Sequence, residues 1–386
     1  MKMVTEAKTD FVEGDEILKL ARQIVEKRIA PNALDRDKSR TFPRDGIRAL
    51  GESGILGLVM SEDRGGFGAG RASFASTAKE IARACASTAL VYVSHSIVAK
   101  AIELGGGEVV KNKWLPEMLK GQSLGAFAVH EPDCGSNAGA ITTGARKDGD
   151  HYIVNGSKFF ITSAGEANLY VVLVRTSTEK GSQGMMTLLI EKDTPGLSFG
   201  HPEDKMGLTS TSSREIFFSD CRVPARNLIG DEGQGTEIIG KAVVGWGFFG
   251  AGAISVGIAK SATDLSVGHA KERTIAGQPI AVHQAVQFLI SDMILGSEAA
   301  EVFLVACATQ ADASPETAVL NGFKAKLFAS EMAVDIANKA IQVLGGHGYT
   351  RDYVVERLFR DARGLMLHFK TSEWLRQDIA KAALGL

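Results

Sequence analysis

The side chains able to do chemistry in this chain are thinly spread, and the residues usual in hydrolysis do not assemble. There is no H-E-x-x-H pair and no G-x-x-x-x-G-K-[ST] phosphate loop. The eight histidines are scattered, so no metal site is expected. Cys85, Cys134, Cys221 and Cys307 form no C-x-x-C pair, which argues against zinc and against a disulfide framework; free thiols suit a reducing compartment. Three short segments carry more information. Glu131-Pro132-Asp133-Cys134-Gly135-Ser136-Asn137 leaves a strand into a turn with Asx-type chemistry. Phe160-Ile161-Thr162-Ser163 reads as a strand with Phe160 and Thr162 on one face, an aromatic ring and a hydroxyl presented together to a flat cofactor. Gly345-Gly346-His347-Gly348-Tyr349 ends a long apolar helix. By itself it is a helix C-cap and turn, and it also suits close backbone approach to a phosphate or ring system. Each segment alone also fits ordinary structure; their order along the chain says more.

The elements that must position these segments change character twice. Residues 15–120 read as helices: Ile17, Leu20, Ala21, Ile24 and Val25 recur with the helical period, Arg64–Gly70 is a loop, 71–104 is small-residue helix, and Val109–Leu119 is a further helix. From Ser123 the texture is β. Lys147-Asp148-Gly149-Asp150 marks a tight turn and Asn155-Gly156 a second hairpin. Residues 157–163, 169–175 and 185–191 are strands, 176–184 is an exposed loop, and Ser213–Phe218 is the last strand. From Glu232 the helical period returns over 235–268, 282–310 and 316–344, with short helices near 352–360 and 372–384. The expected class is a multidomain α+β protein: an N-terminal helical domain (1–122), a middle β-sandwich or barrel domain (123–233) and a C-terminal four-helix bundle (234–386).

Composition narrows the partners. Lys+Arg is 43 against Asp+Glu 45, a net charge of −2, which leaves no basic excess for nucleic acid. The first residues are polar and resemble neither a signal nor a transit peptide, and no run approaches the ~18 apolar residues of a membrane span. A cytoplasmic protein is expected.

The order of the segments resembles the acyl-CoA dehydrogenase family over nearly the whole chain. The family's T-E-P-x-x-G-S-D segment matches His130–Asn137, and its W-I-T segment matches Phe160-Ile161-Thr162. R-x-x-F-G…Q matches Arg273-Thr274-Ile275-Ala276-Gly277 with Gln284, Q-x-x-G-G-x-G-Y matches Gln342–Tyr349, and Arg360-Asp361-Ala362-Arg363 also fits. The resemblance implies FAD, bound without a dinucleotide fingerprint. It implies that Phe127, Val129, His130 and Ser136 line the flavin or the thioester, that Phe160 lies against the ring and that Thr162 bonds near its reactive nitrogen. It places Arg273, Gln284, Gln342, Gly345 and Gly346 on the FAD of a neighbouring subunit, and Thr371 beside the cofactor. Ser136, Trp246, Phe248 and Phe369 fall on the substrate side. A homo-oligomer, usually a tetramer, an acyl-CoA or acyl-carrier thioester, and an acceptor such as an electron-transfer flavoprotein are implied partners.

The acyl side departs from the pattern. The family's catalytic glutamate lies in a Y-E-G-T segment, which corresponds here to His368-Phe369-Lys370-Thr371. Some members carry the acid on the first bundle helix, which here reads Val244-Gly245-Trp246-Gly247-Phe248-Phe249-Gly250, without one. Three readings follow: a dehydrogenase with a relocated base, His95 first and His368 or His130 next; a non-oxidative elimination of carboxylate or sulfinate; or a non-catalytic subunit of a mixed oligomer.

Overall fold

The computed structural model describes residues 16–176 and 184–386. The predicted loop 176–184 thus lies almost entirely outside the described residues, as do residues 1–15. The N-terminal domain holds helices α1 (Ala33–Ser39), α2 (Arg44–Glu52), α3 (Arg71–Ala84), α4 (Ala86–Gly105) and α5 (Glu108–Leu119). The small and branched residues of α4 are buried without a break from Ala86 to Ala99, because neighbours cover every side of this helix. Cys85 caps it, its sulfur accepting from the Thr88 N–H at 3.4 Å.

Among the described residues eight strands follow: β1 (Gly125–Ala128), β2 (Gly144–Asp148), β3 (His151–Ile161), β4 (Leu169–Arg175), β5 (Met185–Glu191), β6 (Leu197–Phe199), β7 (Arg214–Pro224) and β8 (Leu228–Ile229). They hydrogen-bond in the order β6-β7-β3-β2-β4-β5-β8, with β1 parallel to β4. The Lys147–Asp150 turn joins β2 to β3 as expected. The Asn155-Gly156 hairpin does not form. The strand continues through it with a register shift against β7, and Gly156 takes φ 136. The Asn155 amide bonds Asp220 across the pair at 3.1 Å and accepts its N–H at 2.8 Å, which holds the chain extended. The predicted last strand is longer than expected, and β8 follows it. Gly196–Gly200 spells G-x-S-x-G, but Ser198 sits inside edge strand β6 rather than at a strand-to-helix turn.

The C-terminal domain opens with one continuous helical run. Gly235–Ile239 (α6) passes through a π-helical stretch, Gly240–Gly247, into α7 (Phe248–Glu272). Then come α8 (Gln284–Ala313), α9 (Ala318–Leu344), α10 (Val354–Leu367) and α11 (Ser372–Leu384). The run Gly235–Glu272 is long and apolar enough to cross a membrane, which the sequence reading did not expect, but 94% of its apolar window is buried inside the protein. It is the axis of the bundle. Gly345, at φ 59, ends α9 as the cap predicted.

One joint ties the three domains. Asp37 in α1 accepts from Arg360 of α10 at 2.6 Å and from the Thr209 hydroxyl at 2.7 Å. Arg360 also donates to the Met206 carbonyl at 3.0 Å, and Asp361 accepts the Leu208 N–H at 2.6 Å.

Candidate active site

The chain leaving β1 is fixed by a buried ion pair. Lys158 projects from β3 with no solvent exposure and donates to Glu131 at 2.8 Å and to the Val129 carbonyl at 3.0 Å. Glu131 also accepts the Thr142 N–H (2.6 Å), the Thr142 hydroxyl (2.8 Å) and the Thr143 N–H (2.9 Å). Desolvation would raise its pKa, but the Lys158 charge and these bonds hold it down to about 2. The Phe159 N–H donates to the His130 carbonyl at 2.8 Å. Together these contacts lock Val129, His130 and the Ser136 turn against the end of β3, where Phe160 stands.

At that end the strand alternation breaks. Phe160 takes φ 53 and Ser163 φ 65, so Phe160 turns outward and is 55% exposed while Thr162 is 8% exposed. The predicted shared strand face is therefore replaced by a turn that displays the Phe160 ring, backed by Phe159 at 4.2 Å between centroids. Among the described residues, the buried hydroxyls without a hydrogen-bond partner include Ser163 and Ser372. They directly follow Thr162 and Thr371, the two threonines that the resemblance puts beside FAD. The displayed Phe160 ring, with an unsatisfied hydroxyl next in the chain to each of these threonines, fits a flat, polar-edged group such as FAD. Arg273, Gln284, Gln342, Gly345 and Gly346 are exposed on the bundle. No hydrogen bond or ion pair among the described residues joins them to the β-domain group.

The turn after α10 carries Phe369 at φ 60. Its ring lies 5.6 Å from Phe248, which packs on Phe323 at 4.9 Å, and a Cβ on Gly247 would sit 3.1 Å from it. His368 lies 4.5 Å from the Phe369 ring, and His130 hydrogen-bonds the Phe369 backbone. Desolvation first, then repulsion from His130, Lys326 and Lys205, pushes His368 down to about 3, so it is a neutral imidazole. No carboxylate among the described residues acts on it. Nearby, Trp246 is held in the π-helical stretch with the Arg71 guanidinium 4.8 Å and the Lys100 ammonium 5.4 Å from its ring centre, and Phe74 edge-on at 5.8 Å. Arg71 also takes the Gly245 carbonyl at 2.7 Å, a group the widened turn leaves free.

His95, the leading expected base, stands elsewhere. It is fully buried in α4, with Nε2 3.1 Å from the Met118 carbonyl and Nδ1 accepting the Gly125 N–H at 3.3 Å. Burial lowers its pKa to about 4. Both nitrogens are committed to tying α5 and β1 to α4, so it has no lone pair to offer a substrate. Lys158 and Lys326, also fully buried, were not singled out from the sequence. Their only signal in the sequence is weak, a lysine just before Phe159-Phe160 and one set between Ala325 and Leu327.

The chain matches three family models in order: acyl-CoA dehydrogenase N-terminal domain over residues 12–122, middle domain over 126–221 and C-terminal domain over 233–384. It is 40% identical to a mitochondrial isobutyryl-CoA dehydrogenase of Dictyostelium discoideum over 344 residues, covering 89% of this chain and 82% of that one. It is 38% identical to an NADH-dependent acryloyl-CoA reductase of Anaerotignum propionicum, covering 96% and 94%. The solved butyryl-CoA dehydrogenase of Megasphaera elsdenii superposes with a TM-score of 0.92 at 33% identity, covering 96% of this chain and 98% of the other.

Proposed function

The chain belongs to the acyl-CoA dehydrogenase family, and we propose that it is an FAD-dependent dehydrogenase of an acyl thioester that works without a carboxylate at residue 369. The observation that carries this reading is the Phe369 turn: an aromatic side chain among Phe248, Phe323 and His368 stands where the resemblance puts the proton acceptor. When bound, FAD supplies the hydride acceptor. Phe160 and Thr162 orient the ring system, while Trp246, Phe248 and Phe369 exclude water from the acyl chain and bound its length. Ser136 lies on the thioester side. Of the three proposed acceptors, His95 is committed at both nitrogens and His130 bonds the Phe369 backbone, whereas His368 makes no side-chain hydrogen bond among the described residues. His368 is accordingly the group to which an α-proton passes. Arg273, Gln284, Gln342, Gly345 and Gly346 serve the FAD of another copy in a homo-oligomer, and an electron-transfer flavoprotein takes the electrons in the cytoplasm.

Anaerobic titration with a panel of acyl-CoAs, following flavin bleaching, tests the reading. His368→Ala should slow bleaching by about 100-fold, the usual contribution of a general base. His95→Ala should lower the melting temperature and leave the bleaching rate of the folded protein unchanged. Bleaching by no acyl-CoA would exclude oxidation.

A second reading has its own support. A histidine held near pKa 3 is a weak base, which favours a substrate that makes its own carbanion by losing carboxylate or sulfinate. Release of carbon dioxide or sulfite without net flavin reduction would identify it.

A further inference from the structure

The group that fixes the Phe369 turn is Lys326. It lies on α9 with no solvent exposure, and its ammonium donates to the Met366 carbonyl at 3.0 Å and to the Lys370 carbonyl at 2.8 Å. These two acceptors bracket Leu367, His368 and Phe369. Met366 is in the last turn of α10, where helix carbonyls lack intrahelical partners and favour a cation. One turn before Lys326 on the same helix, Phe323 packs on Phe248, which in turn faces Phe369. The Lys370 ammonium lies 5.3 Å from the Phe323 ring centre and pairs with Asp378 of α11. The turn is thus gripped through its backbone by Lys326 and through its side chains by Phe323 and Asp378. A side chain held at φ 60 needs such restraint to keep one direction.

Among the described residues no carboxylate is bonded to Lys326. Desolvation lowers its pKa to about 7, opposed weakly by Glu331 on its own helix and Glu373 on α11. On the other side of the turn it faces His368, which also feels His130 and Lys205 from the middle domain.

We propose that Lys326 is a positioning residue for acyl-thioester chemistry: by holding the Met366 and Lys370 carbonyls it sets the direction of Phe369 and His368 toward the substrate. The proposal rests on the acyl-thioester reading above, and its test separates the two. An ammonium donates charge-assisted bonds and a neutral amine only ordinary ones, so the grip tightens as pH falls through about 7.

The experiment uses the FAD-loaded full chain, Lys326→Met and Lys326→Arg. One arm follows amide hydrogen exchange of the 366–371 segment, where the His368 N–H bonds Gly364 at 3.0 Å and the Lys370 N–H bonds the His368 carbonyl at 2.7 Å. The other follows the flavin absorbance shift on binding an unreactive thioether analogue of butyryl-CoA across pH 6–9. Lys326→Met should exchange about tenfold faster in that segment alone and bind the analogue about tenfold more weakly at pH 6, with full FAD content. Wild type should show an inflection near pH 7 that both variants lack, while Lys326→Arg, always charged, keeps the tight binding. Unchanged exchange in Lys326→Met, or an inflection that survives in it, overturns the proposal. So does Lys326→Arg binding as weakly as Lys326→Met. If wild type gives no absorbance shift while Lys326→Met still loosens the segment, the acyl-thioester reading falls and the grip on the turn stands. Should Lys326→Met fail to fold, Lys326→Arg decides through the inflection and its exchange.

Discussion

At position 158 a lysine with no exposure is tolerated because Glu131 meets it, and Glu131 in turn is saturated by Thr142 and Thr143. Removing one partner leaves the other charge buried and alone. Lys158→Met should therefore destabilise by about 3–5 kcal/mol and loosen FAD, because Val129 and His130 hang on the same pair; denaturant unfolding and FAD retention measure both. The pair also sets a pH window. Glu131 titrates near 2 in the folded chain against an ordinary 4.5. A depressed carboxylate contributes stability that is complete above the unfolded pKa and is lost as pH falls through the folded one. The stability advantage of wild type over Glu131→Gln should accordingly shrink from about pH 4.5 down to about pH 2. A melting difference that stays constant over that window would contradict the assignment.

The bulge in β3 shows an element serving the site at a distance. Gly156 takes φ 136, and a Cβ there would fall 2.8 Å from the Thr143 Cα. Thr143 is one of the residues that hold Glu131, so Gly156→Ala should cost more than about 1 kcal/mol and carry the Lys158 pair with it; thermal melting and flavin fluorescence read the two effects. The same bulge marks where sequence legibility ended. The helices and most strands follow from hydrophobic period, and α11 begins and ends where the pattern placed it, at Ser372 and Leu384. Asn155-Gly156 carries the letters of a hairpin, but its geometry was decided by Asp220, 65 residues away. Phe160 and Thr162 obey strand alternation on paper, yet φ 53 at Phe160 rotates them apart. His95 looks like chemistry by type and place, and only the carbonyl of Met118 and the amide of Gly125 reveal a structural bridge. In each case the deciding partner comes from another element, which a local pattern does not contain.

At the scale of the whole molecule, the bundle leaves an apolar face uncovered. Phe288, Leu295 and Val302 recur every seven residues along α8 and are 62%, 64% and 70% exposed. Phe303 and Phe328 extend the patch, their rings 5.5 Å apart. Such a contiguous patch suits a copy of the chain, and the exposed Arg273 and Gln342 suit an FAD shared with one. Leu295→Lys combined with Val302→Lys should lower the native mass by light scattering and reduce FAD retention, with helical content by circular dichroism unchanged. The run Gly235–Glu272 has a different consequence, for how the protein is made. A ribosome finishes this 38-residue stretch, of mean hydropathy 1.7 in its most apolar window, before it has made α8 and α9. At roughly 5–20 residues per second the wait lasts several seconds. During it, the nascent chain displays a segment with the length and hydropathy of a membrane span. The segment is thus covered in two stages, first by the N-terminal helices already made and only then by the bundle helices that follow it.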